Sequence, residues 1–375
     1  MLNDQPPLLR FFPLLLLSGV VALSCFLKFN GIDGVEDPEC QRASVAIFNH
    51  WQGTAGKYES AHAYNQIYAF LGAMLQYLFK QPNMALQVVS WLAFAVSGWL
   101  VERIVATLAH GSRTDSRMSF VFLGWVLAPV VVASGLGVGG ALLEMTTVLS
   151  AFLFGLRCVE QTRASDIVWV ALFTLLSVIM RPILAGLLLP LALVSGWWLV
   201  KRREWNWLSA AILVGTAVGA MVAYDSDHWM YHVDGRALQN WSPAHFFQRS
   251  FDTENGISRH LLPNVVFLLF PIMHPGFCLL LPGLLLLAKK TDLTLPAKKT
   301  VLFALCAYSM VIGGLPQQPI GTLMPSYAMV LFLLFPAWDR FYCYGLYFLK
   351  KHTRILLFVA LLLQLLLNAW SIYST

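Results

Sequence analysis

Charge is scarce in this chain. Only 12% of its 375 residues are Asp, Glu, Lys or Arg, about half the roughly 25% typical of a soluble domain, which excludes an ordinary water-soluble globule. No basic stripe runs along it. The net charge of +6 is therefore no nucleic-acid footprint, and no nucleic-acid partner is expected. Six cysteines, at positions 25, 40, 158, 278, 306 and 343, are too scattered for a disulfide framework or a metal site of diagnostic spacing. Only Cys40 is expected plainly outside the apolar runs on the outer side. The chain also lacks a Gly-rich nucleotide loop, a zinc motif and internal repeats, and its halves show none of the inverted symmetry common in transporters.

Apolar runs are what it has. Hydrophobic residues make up 58% of the chain, mean hydropathy is +0.66, and a membrane span needs roughly 20 apolar residues. Candidate spans cover 11–27, 84–102, 118–134, 139–156, 166–180, 184–200, 207–223, 260–288, 300–315, 322–337 and 353–371. The expected fold is thus an all-α polytopic membrane protein of about eleven transmembrane helices, one domain over 1–375 with no large soluble C-terminal part. The first run lacks a small-residue cleavage site and is expected to stay as span one. Segment 64–79 is apolar but flanked by Lys57, Glu59, His62 and Lys80, and reads as an interfacial helix. With it so placed and the N-terminus cytoplasmic, only Lys28, Arg42, Lys57, Lys80, Arg181, Arg236, Arg249 and Arg259 of the 25 Lys and Arg residues face outward. That distribution follows the positive-inside rule. Two polar stretches lie on the outer face: loop one, 30–83, and loop two, 224–259.

Loop one begins with Asp33, Glu36, Asp37 and Glu39 beside the membrane. Pro38 and the apolar residues after it, at helical spacing, predict a short surface helix with Asp37 at its start. Such acids are either a solvated loop or a general base or divalent-metal ligand at headgroup depth. Glu144 falls near the outer end of span 139–156, where an ionisable group either snorkels to the interface or faces protein in a site. Arg181, followed by Pro182, breaks the apolar run 166–200 at the outer side. It is either an interfacial anchor or a phosphate-binding guanidinium. In loop two, Asp225, Asp227, His228, His232 and Asp234 are interleaved with Trp229, Tyr231 and Trp241. Acids and aromatic faces suit a sugar, and Asp225 with Asp227 also permits a divalent metal ion. Arg249, Arg259 and His260 re-enter the membrane where a phosphate would lie.

On these residues the chain resembles the GT-C superfamily of membrane glycosyltransferases, in particular the aminoarabinose transferases and protein O-mannosyltransferases. Glu36-Asp37-Pro38 resembles the acidic pair of their first outer loop, and Tyr64–Phe79 their interfacial helix. Glu144 resembles their second acid, Arg181-Pro182 their Thr-Arg-Pro step, and 323–339 the proline- and tyrosine-bearing late span. The resemblance implies an inverting transferase that moves a sugar from a polyprenyl-phosphate donor to a lipid, glycan or protein acceptor. Asp37, Glu36 and Glu144 would be catalytic; Arg181, Arg259, His260, Arg249, Asp227, His228, His232 and Tyr64 would bind substrate. The order Glu-Asp, reversed from the family's Asp-Glu, leaves open which of the two is the base. A monomer in a bacterial inner membrane, working on the periplasmic or extracellular face, is the expectation. Two other readings stand beside it: a transporter or flippase of a lipid-linked substrate, and a lipid-linked glycan polymerase or ligase.

Overall fold

The computed structural model describes residues 38–53, 66–108, 120–161, 163–224, 240–253, 256–259, 263–267, 295–316, 320–344 and 366. Among them the chain is largely helical. Helix α1 (Pro38–Trp51) and helix α2 (Gln66–Phe79) pack on each other and on the start of α3 (Pro82–Leu108). Pro38 suits the first turn of α1, where its missing N–H has no helical partner anyway. Gln76 donates to the Ser44 hydroxyl at 2.6 Å, and Tyr68 donates to the Leu86 carbonyl at 2.8 Å. Gly72 permits this close approach, because a Cβ there would run into the Leu86 side chain and the Ser44 hydroxyl. The opposite face of α2 leaves Phe70, Met74 and Leu78 exposed at every fourth position. The helix thus turns one apolar stripe to protein and another outward.

Cys40, expected in the first outer loop, is fully buried against protein there and belongs to a small apolar cluster with Tyr68, Leu86, Val89 and Val138.

The expected span 118–134 is also not one helix. It breaks into α4 (Phe120–Val126) and α5 (Pro129–Leu136). Ala128 is extended (φ −65°, ψ 128°) because a following proline disfavours helical backbone. Next come α6 (Ala141–Glu160), α7 (Asp166–Met180), a 3-10 turn (Pro182–Leu184), α8 (Ala185–Arg202) and α9 (Trp205–Tyr224). Farther along lie α10 (Asn264–Phe267), α11 (Leu295–Gly313), a 3-10 turn (Ile320–Leu323) and α12 (Met324–Tyr344). Among the described residues three segments are long and apolar enough to cross a membrane: Pro82–Leu108, Ala141–Glu160 and Pro182–Arg202. Of the remaining expected spans, 11–27, all of 353–371 but Leu366, and most of 260–288 lie outside the described residues.

One apolar core joins α3 to α8, α11 and α12. Trp125 is fully buried, stacks on Tyr327 at 6.1 Å between ring centroids and donates its indole N–H to Ser97 at 3.1 Å. Tyr327 donates to the Gly124 carbonyl, tying α12 to α4.

The helices sort their ends. At one end Arg202, closing α8, donates to the carbonyls of Cys158 and Val159 at the close of α6, and Glu160 accepts from the Ala297 N–H at the start of α11. Lys201, Arg203, Lys298 and Lys299 belong to these same helix ends. The start of α6, the close of α7, the close of α11 and the start of α12 make the other end.

Loop two carries strands as well, a departure from the all-α expectation. A 3-10 turn (Pro243–Phe246) precedes an antiparallel hairpin, β1 (Ser250–Thr253) and β2 (Gly256–Arg259), in which Ser250 faces Arg259. A hairpin pairs backbone polar groups within a short segment that no helix satisfies.

Candidate functional site

Two sequence-predicted residues from different helices meet. Glu144 lies in the first turn of α6, where the helix dipole favours a carboxylate; Arg181 closes α7, where it favours a cation. Antiparallel packing brings these two termini to the same end. Arg181 Nη1 donates to Glu144 Oε2 at 3.4 Å, and each residue is only 7% exposed. Neither side chain reaches outward to the interface: both are buried and face protein.

Local chain chemistry aims the arginine. Pro182 disfavours helical backbone at the residue before it, and Arg181 is accordingly extended (φ −154°, ψ 103°). Its N–H still donates to the Ser177 carbonyl at 2.8 Å, and its carbonyl accepts from Leu184 at 3.0 Å. The break therefore turns the side chain off the helix without leaving its peptide groups orphaned.

One turn deeper, the buried Ser177 hydroxyl donates to Thr147 Oγ1 at 2.8 Å, and Thr147 Oγ1 donates to the Glu144 carbonyl at 2.7 Å. This polar ladder fixes the register of α6 against α7 directly beneath the ion pair.

Tyr308, which the sequence reading missed, and the head of the 323–339 run complete the surroundings. A cleft holding Glu144 and Arg181 is also lined by Tyr308 of α11 and by Met324 and Pro325 of α12. Its volume is about 10 Å³, room for about one water molecule. Within the described residues the pair is thus closely packed, and a sugar-sized hollow is not formed by these residues alone. Tyr308 is fully buried and donates to the Thr322 carbonyl at 2.7 Å, which holds the turn before α12 against α11.

Loop two is fastened to the same helix. Trp241 Nε1 donates to the Val311 carbonyl at 3.0 Å. His245 Nδ1 lies 2.8 Å from the Gly314 carbonyl, and Asn264 Nδ2 donates to the Leu315 carbonyl at 2.7 Å. Val311 lies in the last turn of α11, whose carbonyls a helix end leaves without intrahelical partners, and Gly314 and Leu315 follow directly after the helix. The two glycines are required here: a Cβ on Gly314 would enter the Trp241 indole, and one on Gly313 would enter the Phe246 ring. Trp241, expected as a sugar-covering ring, therefore also serves as a helix clamp.

The other expected site residues divide as follows. Arg249 is exposed just before β1. Arg259 ends β2 in register with Ser250, so both arginines lie at the open end of the hairpin. Glu36, Asp37, Tyr64, Asp225, Asp227, His228, His232 and His260 lie outside the described residues, and with Asp225 and Asp227 so does the metal reading. Cys40, three residues after Asp37, packs beside Val138, and Leu143 packs against the same cluster. The acidic stretch of loop one thus leads directly into a helix that docks next to the start of α6.

No protein-family model matches this chain, and no curated protein sequence does. Among solved structures, the fold is similar to that of ArnT from Cupriavidus metallidurans, crystallised bound to undecaprenyl phosphate. The TM-score is 0.56 at 15% sequence identity, and the match covers 86% of this chain and 59% of that one. The likeness is one of fold alone, a largely helical architecture.

Proposed function

We propose that this protein is an inverting glycosyltransferase that takes a sugar from a polyprenyl-phosphate donor at the end of the bundle where Glu144 meets Arg181. The observation that carries this reading is the buried Glu144–Arg181 pair, placed by two helix termini within a fold similar to a protein crystallised with undecaprenyl phosphate. Burial of a guanidinium is costly unless it is paired, and here the pairing carboxylate holds it in place for an incoming phosphate. Arg181 has several N–H donors in a planar fork, of a kind that suits phosphate oxygens.

The chemistry is a single displacement. An acceptor O–H or N–H attacks the anomeric carbon, the bond from that carbon to the phosphate oxygen breaks, and polyprenyl phosphate departs with the electron pair. The acceptor proton passes to Asp37 or Glu36 as general base. Arg181, with Arg249, Arg259 and His260 from loop two, stabilises the charge that develops on the leaving phosphate. Glu144 positions Arg181 and keeps it neutralised before the donor arrives. Asp227, His228 and His232 would hold the sugar, and Tyr64 would line the approach from loop one. Asp225 and Asp227 offer oxygen ligands of the type a divalent cation takes.

In this reading the active end faces the periplasm or exterior of a bacterial inner membrane, and the lysine-rich end faces the cytoplasm. A carrier would need its ionisable site near the bilayer midplane, whereas the described ion pair sits at a helix terminus. The test is turnover by purified protein with a panel of polyprenyl-phosphate sugars, products being identified by mass and by anomeric configuration. A product of inverted configuration, formed with release of polyprenyl phosphate, is expected. Vectorial movement of the intact lipid-linked sugar with no bond cleaved would sink the transferase reading in favour of a flippase.

A further inference from the structure

At the lysine-rich end, away from the ion pair, α8 and α11 diverge and leave a groove of about 610 Å³, well within the roughly 300–1,000 Å³ of ligand-sized pockets. Its walls are Val194, Trp198, Pro296, Leu302, Phe303 and Cys306, with Thr300 at its floor and Lys299 on its lip. Leu302 and Phe303 remain about half exposed, so the groove opens sideways, towards where lipid would lie, and is not sealed in the core. Along α11 it runs from Pro296 to Cys306, ten residues or about 15 Å. That is about the depth of one leaflet of a hydrocarbon core roughly 30 Å thick.

Charge is concentrated at the polar mouth. Lys299 borders the groove, and Lys201 Nζ lies 5.5 Å from the centroid of the Trp198 ring that forms its wall. Arg202 lies over the same ring at 5.2 Å and is engaged with two α6 carbonyls. Glu160 at these helix ends accepts from the Ala297 N–H, and Glu204 follows the α8 cluster directly, exposed. Among the described residues neither Lys201 nor Lys299 has a carboxylate in ion-pair contact. A tryptophan with two lysines beside it at the mouth of an apolar slot is the arrangement that takes an anionic lipid.

We infer that this groove is a binding site for an anionic glycerophospholipid of the leaflet opposite the Glu144–Arg181 end. An acyl chain lies between α8 and α11, and the headgroup phosphate is held by Lys201 and Lys299. The site is independent of the donor reading, since its residues belong to the far ends of these helices.

The experiment is native mass spectrometry of the full-length protein released from detergent carrying phosphatidylglycerol, phosphatidylcholine or undecaprenyl phosphate. Three proteins are compared: the unaltered protein, the Lys201→Gln/Lys299→Gln double variant, and Cys306→Trp, which fills the groove from an exposed position and leaves both lysines in place. Phosphatidylglycerol should be retained over phosphatidylcholine by the unaltered protein. Its retention should fall at least about tenfold in the lysine variant, where two headgroup contacts worth about a factor of five each are lost, and should fall also in Cys306→Trp. Equal retention of the two phospholipids, or unchanged phosphatidylglycerol binding in either variant, overturns the assignment. So does displacement of phosphatidylglycerol by undecaprenyl phosphate, which would make the groove part of a carrier-lipid path.

Discussion

The two ends of this helical bundle treat charge in opposite ways. At one, Glu144 and Arg181 are withdrawn from solvent, paired with each other and set at helix termini whose dipoles favour them. At the other, Lys201, Arg203 and Lys299 stay at the surface or on the lip of an apolar groove, and Trp197 and Trp205 near them are more than half exposed. A buried pair costs desolvation that a surface lysine never meets, so its persistence calls for a use beyond solubility. The exposed cations need no such explanation. They suit an anionic membrane surface, and the contrast separates a candidate reaction centre from a lipid contact within one set of helices.

The largest effect that would break this contrast is removal of half the pair. Glu144→Ala leaves a buried guanidinium unpaired and should cost about 3–5 kcal/mol of stability. The double variant Glu144→Leu/Arg181→Met should regain most of that loss while remaining inactive. Unfolding in detergent by heat or denaturant measures the first, and donor turnover the second. Recovery of stability without activity would show that the pair is kept for chemistry. Equal stability of the single variant and the parent would place Glu144 in water after all.

The clamp of loop two sharpens the picture of the active end. Gly314→Ala would push a methyl into the Trp241 indole, and overpacking of this kind costs about 1–3 kcal/mol. Hydrogen exchange should rise first at 241–248 and at Asn264, before the bundle itself opens. Simultaneous loss of protection throughout α11 would mean the loop is integral to the core instead of fastened onto it.

A smaller change is expected from Ser177→Ala. It removes one hydroxyl bridge between α6 and α7 and should destabilise the protein by about 1 kcal/mol, with a fall in turnover greater than that stability loss accounts for if the ladder sets the position of Glu144. At the opposite end Lys201→Gln alone should alter stability by no more than about 0.5 kcal/mol and leave turnover unchanged. A large activity loss there would erase the distinction between the ends.

Much of this site was legible in the sequence for one reason: ionisable residues inside apolar runs are conspicuous. Glu144 and Arg181 stand out on that ground alone, and Arg181-Pro182 also announces the helix break that aims the guanidinium. Their pairing was not legible, because they lie 37 residues apart on helices whose register only packing fixes. Tyr308 was passed over since tyrosine is ordinary in an apolar helix, whereas Met324 and Pro325 lie in the 323–339 run that stood out by its prolines and tyrosine. The tandem Gly313-Gly314 was a usable signal of close approach, but nothing in the chain names Trp241 and Phe246 as the partners. Pro129 marked the α4–α5 break, yet hydrophobicity reads straight through it.

The central claim is that Arg181 receives the phosphate of a lipid carrier. Its most direct test is the affinity of undecaprenyl phosphate for the unaltered protein and for Glu144→Gln/Arg181→Gln, an uncharged replacement of similar shape, both folded in the same detergent. Loss of a charge-assisted phosphate contact predicts at least about tenfold weaker binding by the variant. Equal affinity in the two proteins would contradict the account.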